Sequence, residues 1–74
     1  MFYLIELTTY VDGTKDAYGI YPYGNYISAE AAFHQKLAGA MRNENYKSEL
    51  CMVIDAKGST MRHEFYEKPV ETNG

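Results

Sequence analysis

The chain has 74 residues, of which 46% are hydrophobic and 23% charged, and its formal net charge is −3 at pH 7. A chain of this length makes one domain, which buries only roughly 60% of the surface that the unfolded chain exposes. The seven basic residues are scattered, whereas nucleic-acid binders usually carry a basic run or stripe. Nucleic acid is therefore not an expected partner.

Cysteine content and the N-terminal segment predict a cytoplasmic protein. Cys51 is the only cysteine, so no intramolecular disulfide can form, which is typical of a reducing compartment. Residues 1–6 lack the basic region and the apolar stretch of a signal peptide. No apolar segment approaches the ~20 residues that a membrane span needs, so no membrane association is expected.

The N-terminal third predicts two strands joined by a hairpin. Residues 2–10 are rich in aromatic and β-branched side chains, which is typical of a strand. Asp12-Gly13 indicates a type I′ turn, in which both central positions have positive φ. Residues 15–23 are then expected to pair back as a second strand. Pro22 has no N–H for a strand ladder, which predicts that this strand lies at an edge of the sheet.

The central segment predicts one helix. Ser28 is the expected N-cap, and the helix is expected to run from Ala29 to about Asn43. Apolar residues recur there at the spacing i, i+4, i+7 and i+8, which places them on one helix face. We expect that face to hold the helix on the sheet. Its members are Phe33, Leu37, Ala40 and Met41.

Two more strands are predicted after the helix, over residues 48–55 and 59–67. Pro69 ends the last of them. We therefore expect a single domain over residues 1–69 and a loose C-terminal tail over residues 70–74.

The predicted element order is ββαββ. The first and third strands are the most apolar, so they are expected in the middle of the sheet. The spatial order 2-1-3-4 then makes every neighbouring pair antiparallel. The sequence thus predicts the α+β class, with a two-layer four-stranded antiparallel sheet that carries one helix on one face.

The first and third strands are apolar on both faces, although a sheet with one covered face should alternate apolar and polar residues. One helix covers one face only, so the other face is expected to meet a partner, most simply a second copy of the chain. The pattern does not decide which of two sets of residues forms this homodimer contact. Alternatively, the loop 24–27 and the C-terminal tail could fold over the second face of the sheet. One set is Phe2, Leu4, Cys51 and Val53, and the other is Tyr3, Ile5 and Leu7.

Tyrosine is unusually frequent, at eight of 74 residues, and four tyrosines fall within nine positions. A tyrosine combines a large apolar ring with a polar tip, which suits the surface that binds a protein or a small molecule. The same residues also suit an edge strand through their β-propensity, so both interpretations stay open. The four are Tyr18, Tyr21, Tyr23 and Tyr26.

Residues that could carry chemistry are sparse. His34, His63 and Cys51 do not show metal-ligand spacing, so neither a metal nor another cofactor is predicted. Cys51 is flanked by apolar residues and is expected to be a small buried hydrophobe rather than a nucleophile. Asp55 is best explained by a turn. We therefore predict that the protein is not an enzyme, although five acidic residues could supply paired carboxylates: Glu6, Asp16, Asp55, Glu64 and Glu67.

Several segments together resemble short, uncharacterised proteins of Gram-positive gut bacteria and of their phages or mobile elements. The segments are MFYLIEL at 1–7, AFHQKL at 32–37 with GAM at 39–41, and SELCMVID at 48–55. The resemblance implies a phage or mobile-element context and carries no activity and no functional residue to this chain.

These observations favour a non-enzymatic binding protein. The expected role is that of an inhibitor or a ligand-sequestering accessory protein of a phage or mobile element. The alternative is a structural or assembly component of a phage particle.

Overall fold

A computed structural model describes residues 1–13 and 17–68, in which four strands and one helix form two layers. The sheet is antiparallel throughout with the order β2-β1-β3-β4, so the predicted fold class and strand order are confirmed. The tail 70–74 lies outside the described residues. The elements are β1 (Phe2–Tyr10), β2 (Ala17–Tyr23), α1 (Tyr26–Arg42), β3 (Tyr46–Asp55) and β4 (Thr60–Glu67).

The register of the two central strands decides which side chains lie under the helix. Leu4 of β1 pairs with Val53 of β3, and Glu6 pairs with Cys51. Because successive side chains of a strand point to opposite faces, the even-numbered residues from Phe2 to Thr8 share one face with the odd-numbered residues of β3. This covered face packs against α1.

The hydrophobic core lies between α1 and the covered face. Phe2 packs against it and meets the Tyr26 ring edge to face, with 5.7 Å between ring centroids. The core residues are Leu4, Ala29, Phe33, Leu37, Cys51 and Val53.

The residues first named for self-association, Phe2, Leu4, Cys51 and Val53, therefore lie on the wrong face for that role. Leu4, Cys51 and Val53 are 0% exposed, because α1 covers them. This part of the prediction was wrong, and the uncovered face is the one that carries Tyr3, Ile5 and Leu7.

The helix begins earlier than predicted. Asn25, not Ser28, is the N-cap: its backbone is extended, and its Oδ1 accepts a hydrogen bond from the Ser28 N–H at 2.8 Å. An N-cap residue satisfies a donor two or three positions further on, so Ser28 lies inside the first turn. Tyr26 consequently belongs to the helix, and its hydroxyl donates to Glu30 at 3.0 Å.

The buried stripe of α1 consists of Ala29, Phe33, Leu37 and Ala40. Met41 is 57% exposed, so its predicted place in the core was wrong. Adjacent helix residues are about 100° apart around the axis. Ala40 and Met41 therefore cannot both face the sheet, and Ala40 occupies that position.

The connection between β1 and β2 differs from the predicted type I′ hairpin. Gly13 has a φ of 76°, and its N–H donates to the carbonyl oxygen of Tyr10 at 3.3 Å. No non-glycine residue among those described has positive φ, so Asp12 does not meet the type I′ requirement.

The turn between β3 and β4 confirms the structural explanation of Asp55. Its Oδ1 accepts hydrogen bonds from the backbone N–H groups of Lys57 and Ser59, each at 2.9 Å. Gly58 supplies the positive φ of 88° that the turn requires.

In the part of the chain that the structure describes, no helix is long and apolar enough to cross a membrane.

Candidate functional site

The sheet face opposite α1 is built from three apolar rows that cross the strands. The rows follow from the strand pairing, in which Leu7 pairs with Tyr18 and Leu50, Ile5 pairs with Ile20 and Met52, and Tyr3 pairs with Pro22 and Ile54. On β4, Phe65 extends the first row and His63 the second. We call this surface the open face. Its members are Tyr3, Ile5, Leu7, Tyr18, Ile20, Pro22, Leu50, Met52, Ile54, His63 and Phe65.

The open face exposes large apolar side chains. Tyr18 is 83% exposed, Ile20 64% and Phe65 55%. Ile5 and Met52 at its centre are half-buried by their neighbours within the sheet. Because soluble monomers seldom expose a contiguous apolar patch of more than a few hundred Å², a surface of this kind indicates an interaction site.

The structure does not bring the four clustered tyrosines together on one surface. Tyr18 lies on the open face, whereas Tyr21 pairs with Leu4 and Tyr23 with Phe2 on the covered side. Tyr26 is in the first turn of α1 and packs against the core. Of the four, Tyr18 alone belongs to the open face.

A second feature is a carboxyl pair on the covered face, in which Glu49 is buried and Glu6 is partly buried. Glu49 of β3 is 0% exposed, and the hydroxyl of Thr8, directly opposite on β1, donates a hydrogen bond to its Oε1. The Cys51 thiol donates to Oε2 at 3.8 Å. Glu6, which pairs with Cys51 on β3, lies diagonally across from Glu49 on the same sheet face, so two acidic groups meet between the central strands.

The two carboxyl groups have opposite pKa shifts. Burial raises the pKa of Glu49 to about 7, and the neighbouring Glu6 carboxylate acts in the same direction, while the Thr8 hydroxyl opposes it. Burial also acts to raise the pKa of Glu6, but the hydrogen bonds from Glu49 and Lys36 outweigh it, so that pKa is lowered. Of the two groups, Glu49 is therefore the one that binds a proton more readily, and Glu6 is the one that ionises more readily.

Lys36 connects this pair to the helix. Its Nζ lies 3.2 Å from Oε1 of Glu6 and 4.4 Å from the ring centroid of Tyr21, and the Tyr21 hydroxyl donates to Glu6 at 3.3 Å. Glu6 and Lys36 also line a cleft of ≈ 490 Å³ between the sheet and α1, together with Tyr46 and other residues. The helix is therefore fastened to the sheet by charge as well as by apolar packing.

The Cys51 thiol lies in the same region but is a poor nucleophile. Burial raises its pKa to about 12, and the nearby Glu49 carboxyl adds to the effect. A thiol in this environment stays protonated at neutral pH, and the thiolate is the reactive form. In the described ranges, no group of three or more His, Cys, Asp and Glu side chains could hold a metal ion.

Sequence reasoning named Glu6 as a possible member of a carboxylate pair but missed Glu49. The signal was present, because Glu49 shares its strand face with Cys51 and Val53, and that face proved to be the covered one. Of the other acidic candidates, Glu64 and Glu67 lie exposed on β4, and Asp16 lies outside the described residues.

The fold and these features define a two-layer α+β domain with the order ββαββ, one covered sheet face and one open sheet face. Comparison of the chain with protein-family models, curated proteins and solved structures found no match.

Proposed function

We propose that this chain is a non-enzymatic interaction protein that acts as a homodimer joined through the open face. The observation that carries the proposal is the composition of that face. The members of its three rows include no Asp, Glu, Lys or Arg, and their one imidazole, that of His63, lies on the edge strand β4. Two copies can therefore meet without burying like charges against each other.

A symmetric dimer requires a surface that can pack against a second copy of itself. In a twofold interface the same patch is present on both sides, so each copy must offer a surface that suits itself. The open face has an aliphatic centre at Ile5 and Met52 and aromatic rings at Tyr3, Tyr18 and Phe65. Two such sheets can pack face to face about 10 Å apart, with strand directions within about 30° of each other.

The size of the face favours a reversible dimer. Four strands about 4.8 Å apart, each contributing about six residues at 3.4 Å, span roughly 400 Å² before side-chain relief is counted. Standard interfaces bury about 800 Å² per partner. The footprint of the open face is about half of that value, so we expect a weak dimer that dissociates on dilution.

The biological context is proposed on the resemblance of the chain to short proteins of Gram-positive gut bacteria and their phages or mobile elements. In that context the dimer acts in the cytoplasm as an inhibitor or ligand-sequestering accessory protein. The buried, protonated Cys51 thiol supports a binding role rather than nucleophilic catalysis.

The test is sedimentation velocity of the full chain over a range of about 1 to 500 µM, which is wide enough to detect a weak dimer. The wild type should approach twice the chain mass of 8.5 kDa. Met52→Lys, at the centre of the open face, should remain monomeric, because a dimer would bury the ammonium group. Met41→Lys is the matched control, since Met41 is exposed on α1 and outside the open face.

Ile20→Lys provides a second variant with less risk to folding, since Ile20 is 64% exposed at the edge strand. It should weaken the dimer while the far-UV circular dichroism stays native. A wild type that remains monomeric at the highest concentration would contradict the dimer, and so would a dimer that survives both lysine variants. Assembly beyond the dimer would instead favour a structural component of a phage particle.

A further inference from the structure

We propose that Glu6 and Glu49 share one proton across the two central strands, and that this shared proton makes the stability of the fold sensitive to pH near neutrality. The proposal concerns the covered face and does not depend on dimer formation through the open face. It rests on the geometry of a polar cluster in the middle of an otherwise apolar layer.

The position of Glu49 is the first step. Its side chain is fully buried next to Cys51 and opposite Thr8, in a layer whose other central members are apolar. An isolated carboxylate there would be strongly destabilising, and such groups usually take up a proton instead. Glu6 is the neighbouring acceptor for that proton, because it lies diagonally across from Glu49 on the same sheet face: Glu6 pairs with Cys51, and Thr8 pairs with Glu49.

The charges around the pair are asymmetric. Lys36 is the cation that contacts it, and its Nζ lies against Glu6. The lysine therefore favours the ionised form of Glu6 and leaves the proton on Glu49. The other titratable side chains around the pair, among the described residues, carry hydroxyl, thiol or carboxyl groups. Tyr21 donates to Glu6, Cys51 donates to Glu49, and Tyr46 lies nearby in ring contact with Tyr10. On β4, Tyr66 is opposite Glu49 and Glu64 is opposite Cys51.

The sign of the pH dependence follows from the two pKa shifts. The pKa of Glu49 is raised from 4.5 to about 7 in the native state, so the unfolded chain loses this proton first as the pH rises. Stability should therefore fall between about pH 4.5 and pH 7 and then level off. The lowered pKa of Glu6 acts in the opposite sense, and its stabilising effect is lost as the pH falls below about 4.5.

The structural consequence is that the carboxyl pair and Lys36 together link β1, β3 and α1. With the proton in place, the pair is bridged by a hydrogen bond, and Lys36 balances the single negative charge. Without the proton, the two carboxylates of Glu6 and Glu49 face each other. The ammonium group of Lys36 on α1 then balances only one of the two negative charges. Repulsion then acts at the point where α1 is fastened to the central strands.

The direct experiment is a ¹³C NMR titration of the glutamate carboxyl groups in the full chain. Glu49 should titrate near neutrality, at about 7, and Glu6→Gln should move that titration to lower pH by removing the like charge. Titration of Glu49 at its ordinary value near 4.5 would overturn the proposal, whatever the oligomeric state.

Urea unfolding at pH 5 and pH 8, at one low protein concentration, gives an independent readout. The folding equilibrium constant of the wild type should fall by roughly 10- to 100-fold between these pH values. Glu49→Gln, which mimics the protonated acid, should lose most of this dependence. Glu44→Gln is the matched control, because Glu44 is exposed, and it should behave as the wild type does.

Equal pH dependence in the wild type and in Glu49→Gln would also overturn the proposal. If Glu49→Gln fails to fold, the NMR titration of the wild type decides the question alone.

Discussion

The Cys51 thiol shows how the environment of one residue controls its chemistry. Cys51 pairs with Glu6 across the strands and donates to Glu49 at 3.8 Å. Burial and the adjacent acids act in the same direction, against formation of the thiolate. Exposure as well as pKa therefore determines how this residue reacts.

We expect the native Cys51 thiol to resist alkylation at neutral pH, because the side chain is 0% exposed and its pKa is raised to about 12. Labelling should require local or global opening of the fold, and urea should accelerate it sharply. The control is a Cys51→Ala, Ser59→Cys variant, in which an exposed turn position carries the thiol and should react at once. Equally rapid labelling of native Cys51 would show that the covered face is accessible.

At the scale of elements, α1 is positioned by a narrow stripe rather than by all its apolar residues. Phe33 is 3% exposed and Leu37 8%, whereas Met41, one helix turn further on from Leu37, is 57% exposed. In its second turn the helix is also linked to β4 by Arg62, whose Nε donates to Oε2 of Glu30 at 2.6 Å. That ion pair is partly exposed, so apolar packing is the main contribution.

Phe33→Ala and Met41→Ala form a matched test of this orientation. Phe33→Ala should cost roughly 3–5 kcal/mol through lost burial and the resulting cavity, a large part of the stability of a small domain. Met41→Ala should cost less than about 1 kcal/mol, because most of its side chain stays in water. Urea unfolding curves give both values. Equal losses in the two variants would mean that the helix is rotated from the position described here.

At the scale of the whole molecule, α1 covers one face of the sheet and leaves the open face uncovered. A chain of 74 residues without a disulfide has a thin core, and here that core lies on one side of the sheet. A second copy on the open face would add a second apolar layer without lengthening the chain. Stability and association should therefore be coupled.

This coupling predicts that the melting temperature depends on protein concentration. Above the dissociation constant, each tenfold increase should raise it by roughly 3–5 °C, as mass action and the unfolding entropy of a dimer of this size require. The Met52→Lys monomer should melt at one temperature throughout. Differential scanning calorimetry measures the melting temperatures of the wild type and of the variant. A wild-type melting temperature that does not change with protein concentration would show that stability is not coupled to association.

The elements and their order could be predicted because their signals are local. Aromatic and β-branched runs marked the strands, Pro22 marked an edge strand, and the two most apolar strands proved to be the central ones. The helix start was predicted wrongly because Ser28 is a common cap residue, whereas in the structure Asn25 has the extended backbone that a cap requires.

By itself, the sequence determined the class of the fold, the order of its strands and the fact that the two central strands are apolar on both faces. Alternation within a strand separates its two faces but does not say which one lies under the helix. That choice depends on contacts between distant segments: Leu4 with Val53 across the sheet, and Phe33 against both strands. The tertiary structure alone therefore decided that Glu49 is buried and that Ile5 and Met52 lie on the open face, because burial depends on what packs against a residue rather than on its neighbours in the chain.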